Sequence, residues 1–320
     1  MEPLQPVALD EIQAAASRIR GIALRSPLLR LDGAGPGETF VKLENLQPIG
    51  SFKLRGAANS LAVAEADRLA AGIGTASAGN MGRAVAWLAH QRGIPCTVVV
   101  PDDAPEAKLE PMRRLGATIV PEPFDRWWQA IAEARHPAIH GTFLNAFAAA
   151  PMIAGNGTIG LEIVEDLPDV DAVVVPFGGG GLSSGIACAL RALRPEVPVY
   201  AAEVERAAPL AAAMEAGQPV TIEMQRSFVD GIGSSRVTDA MWPLVSNVLA
   251  GSIVVTLDEV RHAMRLLASR ARVVAEGAGA VALAAALSGR AGTGRVVAIV
   301  SGGNIDPSVL AATLAATPSA

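Results

Sequence analysis

The sequence predicts an α/β protein whose parallel-rich sheets are covered by helices, arranged as two lobes with a cleft between them. Three observations carry this. Short runs rich in Val and Ile alternate with Ala/Leu-rich segments of helical spacing, and strand–helix alternation implies parallel strands buried on both faces. The 320 residues are long for one core and short for three. With 51% hydrophobic and 18% charged residues, the chain has ample apolar surface to bury and no signature of disorder.

In chain order, residues 97–100, 117–120, 172–175, 199–202, 253–256 and 296–300 read as short buried strands. Residues 57–69, 83–92, 107–115, 182–193, 257–271 and 279–286 read as helices, the fifth opening on Leu257-Asp258-Glu259 with acids at its start. One alternating block runs from about Ala71 to Asn145 and a second from Pro151 onward, with no fixed-period repeat.

Composition excludes several classes of function. The net charge is −5, the pI is near 5.5 and no basic stripe is visible, so a nucleic-acid partner is not expected. Arg113 and Arg114 read as a solvated helix face. No stretch approaches the ~20 apolar residues of a spanning helix, and residues 1–10 carry acids and prolines rather than a secretory signal. Cys96 and Cys188 lie in apolar stretches and read as buried reduced thiols, which fits the cytoplasm. Trp127 and Trp128 read as packing residues.

Four motifs carry chemistry. In Ser51-Phe52-Lys53-Leu54-Arg55-Gly56, Lys53 follows a Pro/Gly/Ser turn and opens a helix, where the positive end of the dipole lowers an amine pKa. A lowered pKa suits a Schiff-base lysine. In Phe177-Gly178-Gly179-Gly180-Gly181-Leu182, a buried strand runs through four glycines into a helix, an arrangement that cradles a phosphate with backbone N–H groups. A dinucleotide loop is the alternative, with Glu203 or Glu205 near the ribose-binding position. In Ser77-Ala78-Gly79-Asn80-Met81-Gly82-Arg83, a small-residue turn opens a helix whose free amides suit a carboxylate; a plain cap by Ser77 or Asn80 is the alternative. In Val300-Ser301-Gly302-Gly303-Asn304, a strand ends where open α/β sheets bind ligands, and the same residues also make good turn chemistry.

In this order the four motifs resemble the serine/threonine dehydratase group of fold-type II pyridoxal-phosphate (PLP) enzymes, from about Ile12 to Ile305. The resemblance implies the two-lobed architecture of the tryptophan synthase β type. Residues 1–71 and 148–320 would form the large PLP-binding lobe, and residues 72–147 the inserted small lobe that carries the substrate-carboxylate turn. It implies that Lys53 holds PLP and, once freed, takes the Cα proton of the substrate while hydroxide leaves Cβ. Phe52 would pack beside the cofactor and Asn80 would bond its ring hydroxyl. Gly178, Gly179, Gly180, Gly181 and Leu182 would cradle its phosphate, Ser301 would face the pyridine nitrogen, and Glu276 would lie nearby. A neutral serine at that nitrogen disfavours a long-lived carbanion, which favours elimination. Ser77, Ala78, Gly79, Asn80, Met81 and Ser234 would meet the substrate, a small β-hydroxy amino acid of the threonine or serine type. The products would be a 2-oxo acid and ammonia, and the enzyme a homodimer.

Departures from the family pattern sharpen this reading. Leu54 stands where threonine and cysteine synthases carry Asp, which points to the dehydratase branch. Ala78 replaces the second serine of racemases, which ranks racemisation below dehydration. Glu203 matches one ligand of a divalent-cation site in some relatives, but Pro209 stands at the second, so no metal is expected. The turn continues Met81-Gly82-Arg83 instead of His-(Ala/Gly)-Gln; Arg83 either receives a second carboxylate, as from 3-hydroxyaspartate, or points to solvent. The chain stops sixteen residues after Asn304, so no C-terminal regulatory domain is expected. A nicotinamide-dependent oxidoreductase and a non-catalytic binding module are the remaining alternatives. The first leaves Lys53 and Ser301 without a role.

Overall fold

The structure is a computed structural model and describes residues 3–315. Its strands are β1 (Leu28–Leu31), β2 (Glu38–Lys42), β3 (Ile73–Ala76), β4 (Cys96–Pro101), β5 (Thr118–Glu122), β6 (Thr142–Phe143), β7 (Ala172–Pro176), β8 (Val199–Val204), β9 (Gly251–Val255) and β10 (Arg295–Ile299). Its helices are α1 (Leu9–Arg18), α2 (Lys53–Ala62), α3 (Ala66–Ala70), α4 (Asn80–Arg92), α5 (Glu106–Arg114), α6 (Phe124–Glu133), α7 (Ala150–Asp166), α8 (Gly181–Leu193), α9 (Pro209–Ala216), α10 (Trp242–Val248), α11 (Leu257–Leu266), α12 (Gly277–Leu287) and α13 (Pro307–Ala315).

Two sheets result. The larger runs β1-β2-β10-β7-β8-β9 and is parallel except for β1, which pairs antiparallel with β2 at the edge. The smaller runs β5-β4-β3-β6, is wholly parallel, and is drawn entirely from residues between Ile73 and Phe143.

Strand alternation sends neighbouring residues to opposite faces. Val173 and Val175 of β7 and Val297 and Ile299 of β10 pack with α7 and α8; Ala172, Val174, Val296 and Ala298 pack with α11 and α12. In the small sheet, Val98 and Val100 pack with α2, α4 and Met152 of α7, while Val99 faces Ala130 of α6. Burial on both faces is why these strands read as unbroken apolar runs.

α2 and α7 lie unusually close. A Cβ on Gly56 would fall 2.1 Å from the Met152 sulfur, and one on Gly155 would fall 2.6 Å from the Arg55 carbonyl oxygen. That approach seats the helix headed by Lys53 against the longest helix of the protein.

Two expected helices are shorter in the structure. Residues 57–69 divide into α2 and α3 because the chain turns extended at Glu65 (φ −63°, ψ 132°). Residues 257–271 end as a regular helix at Leu266 and continue as a wider π turn closed by Arg272 at φ +61°. α11 starts on a capping box in which Thr256 Oγ1 accepts the Glu259 amide at 3.2 Å and Glu259 accepts the Thr256 amide at 2.6 Å. Arg113 and Arg114 lie on an exposed face, paired with Glu106 and Glu110. Trp127 packs half-buried against the Val99 and Ala130 cluster, while Trp128 stays exposed. Cys96 and Cys188 are free and buried, and burial pushes the Cys96 thiol up to about 12.

Candidate active site

Lys53 is the first residue of α2. Its Nζ donates to the Ala146 carbonyl at 2.7 Å and lies 5.0 Å from the centre of the Phe52 ring. The side chain keeps some exposure, but protein atoms crowd the ammonium, and that crowding governs its acidity. Desolvation lowers its pKa from 10.5 to about 8.

Ala146 belongs to a short loop that the sequence reading passed over. Asn145 Oδ1 accepts the amides of Phe147 at 3.0 Å and Ala148 at 2.8 Å, which folds the loop over the four glycines. A Cβ on Gly179 would fall 2.3 Å from the Phe147 ring, and Gly180 sits at φ +88°, a conformation suited to glycine. The first backbone bond into α8 runs from Ser184 N to Gly180 O at 2.9 Å. The amides before it lie at a helix N-terminus, where the geometry supplies no helical acceptor. Leu182 is buried behind them, and Gly178 abuts Ile232.

The strand-end motif is stitched to the lysine motif. Phe52 N donates to Ser301 O at 3.0 Å and Gly303 N to Gly50 O at 2.9 Å. Ser301 is buried, and its hydroxyl makes only a long contact of 3.5 Å to Ala278 O. Gly302 lies against Glu276: a Cβ there would fall 2.4 Å from Glu276 Oε1.

In the asparagine turn, Ser77 Oγ accepts the Gly79 amide at 3.2 Å, and no side chain caps α4. Asn80 therefore does not serve as a cap. Its Nδ2 donates to Glu276 Oε1 at 2.7 Å, and its Oδ1 accepts from Asn304 Nδ2 at 2.6 Å. Burial raises Glu276 from 4.5 to about 7; Asp230 adds to the rise, while Asn80, Lys108 and the Asn304 amide oppose it. Ala78 is half-buried. Met81 is 1% exposed within the apolar cluster around Leu54, Leu144 and Met152, so its side chain packs the core and leaves the turn's backbone to face outward. Ser234 Oγ donates to Arg236 O at 2.8 Å, inside its own turn.

The structure thus brings Lys53, Phe52, Asn80, Glu276 and Ser301 into one connected group, with the glycine loop held beside it by Phe147. Asn145, Ala146 and Asn304 join this group although the sequence reading gave them no role; the Asn304 signal lay within the Ser-Gly-Gly-Asn motif. Glu203 is occupied elsewhere: it accepts the amides of Leu210 and Ala211 at 2.8 Å each and the Ser252 hydroxyl at 2.6 Å, capping α9. Among the described residues no cluster of three or more His, Cys, Asp or Glu is placed to hold a metal. No helix among them is long and apolar enough to cross a membrane.

Comparison with known proteins agrees with this geometry. The family model for pyridoxal-phosphate dependent enzymes matches residues 19–302. The L-threonine ammonia-lyase of Thermotoga maritima is 39% identical over 310 residues, covering 95% of this chain and 77% of that protein. The catabolic L-threonine dehydratase TdcB of Escherichia coli is 37% identical and covers 94% of each chain. The structure of maize serine racemase superposes with a TM-score of 0.89 at 31% identity, covering 97% of each chain. With a helix-heading lysine, a glycine loop at a helix N-terminus and a family match across both sheets, the chain belongs to the pyridoxal-phosphate dependent enzymes.

Proposed function

We propose that the protein is a PLP-dependent ammonia-lyase that removes water from a small β-hydroxy amino acid of the L-threonine or L-serine type and releases a 2-oxo acid and ammonia. The observation that carries this reading is the pairing at the site. Lys53, with its pKa lowered to about 8, supplies a base, while the turn that would meet the substrate offers Ala78 with no titratable group. A base at Lys53 and no titratable side chain at Ala78 of the turn suit elimination better than inversion at Cα. The threonine-acting relatives at 39% and 37% identity support the substrate class.

The residues present fit PLP. The loop from Gly178 to Leu182 leaves backbone amides at the α8 N-terminus for a phosphate. Ser51 Oγ, fully buried two residues before Lys53, has no partner in the protein. When bound, the cofactor supplies an electron sink for the bond broken at Cα. Phe52 would flank its ring, Ser301 would face the pyridine nitrogen with a neutral hydroxyl, and Asn80 with Glu276 nearby would meet the ring oxygen. Lys53 Nζ would anchor it and afterwards take the Cα proton. Ser77, Gly79 and Asn80 would hold the substrate carboxylate with the amides of the turn at the α4 N-terminus. Gly178, Gly179, Gly180, Gly181 and Leu182 would hold the phosphate, and Ser234 would lie on the substrate side.

The same reading divides the chain into a large lobe of residues 1–71 and 148–320 and a small lobe of residues 72–147, supported by the confinement of one whole sheet to Ile73–Phe143. It also takes the enzyme as a cytoplasmic homodimer; two free buried thiols are consistent with a reducing compartment.

The test is a visible spectrum of the purified protein, followed by L-threonine, L-serine and 3-hydroxyaspartate with detection of 2-oxo acid and of substrate chirality. A PLP band abolished by Lys53→Ala, with oxo acid from threonine or serine, is the expected result. A protein that carries PLP and inverts these substrates without releasing oxo acid would overturn the lyase assignment.

A further inference from the structure

Arg83, expected either to take a second carboxylate or to face solvent, is held from within by a neighbouring side chain. Its guanidinium is part-buried, and Nη1 donates to Asn304 Oδ1. Asn304 Nδ2 donates to Asn80 Oδ1 at 2.6 Å and to Ile49 O at 2.9 Å. Asn80 Nδ2 donates to Glu276 Oε1 at 2.7 Å, and the Asn304 main-chain amide bonds to the same carboxyl. Four side chains from three separate stretches of sequence thus form one line of hydrogen bonds, from the outer side of α4 to the centre of the site.

The ends of this line set its polarity. A guanidinium has donors and no acceptor, so Asn304 must turn its oxygen toward Arg83 and its NH2 toward Asn80. Asn80 must then turn its oxygen back to Asn304 and its NH2 toward Glu276. An ionised Glu276, which only accepts, demands the same orientation from the other end. A protonated Glu276 can also donate, and then Arg83, together with the Ile49 carbonyl that only accepts, keeps the two amides from flipping as a pair.

We infer that Arg83 is a positioning residue: through Asn304 it holds the Asn80 amide with its NH2 on the Glu276 side, leaving the second Nδ2 hydrogen to donate to the ring oxygen of PLP. The inference rests on the reading of Asn80 as a cofactor ligand.

The pH behaviour follows from the groups around Glu276. Asn80 and the Asn304 amide touch it, Asp230 and Lys108 act on it through space, and the Gly302 backbone packs against it. With burial placing Glu276 at about 7, the carboxylate helps orient the amides above that pH and ceases to do so below it. Loss of Arg83 should therefore matter more in acid than in base. On its outer side Arg83 borders a cavity of about 320 Å³, lined also by Pro48, Ile49, Trp87 and Pro111, which is room enough for a small guanidine to enter.

The test compares holoenzymes of the wild type, Arg83→Met and Arg83→Lys for PLP dissociation constant and for kcat and KM at about pH 6 and about pH 8.5, with and without ethylguanidine. For Arg83→Met, PLP affinity should fall about tenfold at the lower pH and about threefold or less at the higher, the scale of one or two hydrogen bonds lost or reversed. Substrate KM should stay near the wild-type value, Arg83→Lys should retain most of the affinity, and ethylguanidine should restore Arg83→Met at the lower pH. Equal losses at both pH values without rescue would mean simple packing, and unchanged PLP affinity would mean no role; either overturns the inference. If methionine prevents folding, Arg83→Gln serves instead. Its amide can accept as well as donate, so it should show the same pH dependence at smaller amplitude, and wild-type behaviour would overturn the inference. A wild-type protein that binds no PLP would instead overturn the functional reading itself.

Discussion

Replacing Arg55 with methionine should destabilise the protein by about 3–5 kcal/mol, the usual cost of leaving a buried charge without its partner. The guanidinium is 2% exposed and grips two carboxylates at once. Nε and Nη2 donate to Glu44 at 2.9 and 2.8 Å, and Nη1 and Nη2 donate to Glu162 at 2.6 and 3.0 Å. Nη2 also reaches the Leu24 carbonyl at 3.0 Å, and Nη1 the Thr158 hydroxyl at 3.1 Å. Methionine fills much of the volume but supplies no donor. Glu162 would keep Lys42 at 2.7 Å, whereas Glu44, fully buried, would keep only the neutral donors Ser26 and Gln47. The uncompensated charge therefore falls on Glu44. Neutralising it in Arg55→Met/Glu44→Gln should recover part of the loss, with a coupling of about 1–3 kcal/mol. Urea unfolding followed by tryptophan fluorescence measures both quantities. A single variant that loses less than about 1 kcal/mol, or a double variant no more stable than the single, would refute the reasoning. Because Arg55 lies two residues after Lys53 on α2, the single variant should also loosen the seat of that lysine.

Two further outcomes follow from the site. With Lys53 lowered to about 8 by desolvation, the rate at which PLP adds to the apoprotein should rise with pH and level off above about 8; a midpoint near 10 would show that the amine is not desolvated. Burial raises Glu276 from 4.5 to about 7, so the unfolded chain ionises this group first. Its contribution to stability is greatest below about pH 4.5 and declines as pH rises toward 7. Glu276→Gln should remove that decline, shifting the stability difference in favour of the variant by at most about 3 kcal/mol between these limits; parallel stability curves for the two proteins would contradict it.

Much of the fold could be read along the chain because its signals are local. The cores of β4, β7, β9 and β10 announce themselves as runs of Val and Ile, and the glycine loop is bounded by an apolar strand and helix that leave it one geometry. α7 escaped this reading. Its segment Gly155-Asn156-Gly157 has poor helix propensity, and its residues from Met152 to Gly160 are buried, so no polar stripe marks its period. Only contact with α2 and α8 makes it a helix. β1, β2 and β3 were missed for a related reason: four or five residues carry too little pattern, and β2 is made a strand by pairing with β10.

By itself the sequence determined the four motifs and their order, and through the family resemblance they carry it pointed to the cofactor, since each motif is a contiguous stretch whose residue types already dictate its backbone. Tertiary structure decided which side chains converge. Asn80, Glu276 and Asn304 lie up to 224 residues apart, so their hydrogen bonds leave no trace in local spacing. The buried pairing of Arg55 with Glu44 and Glu162 depends on α7, the helix the sequence concealed. Met81, a candidate for the substrate side, packs the core, and Arg83 points to Asn304 rather than outward. The direction a side chain takes from a helix start depends on what packs there, and that is set only when the two sheets and their helices are assembled.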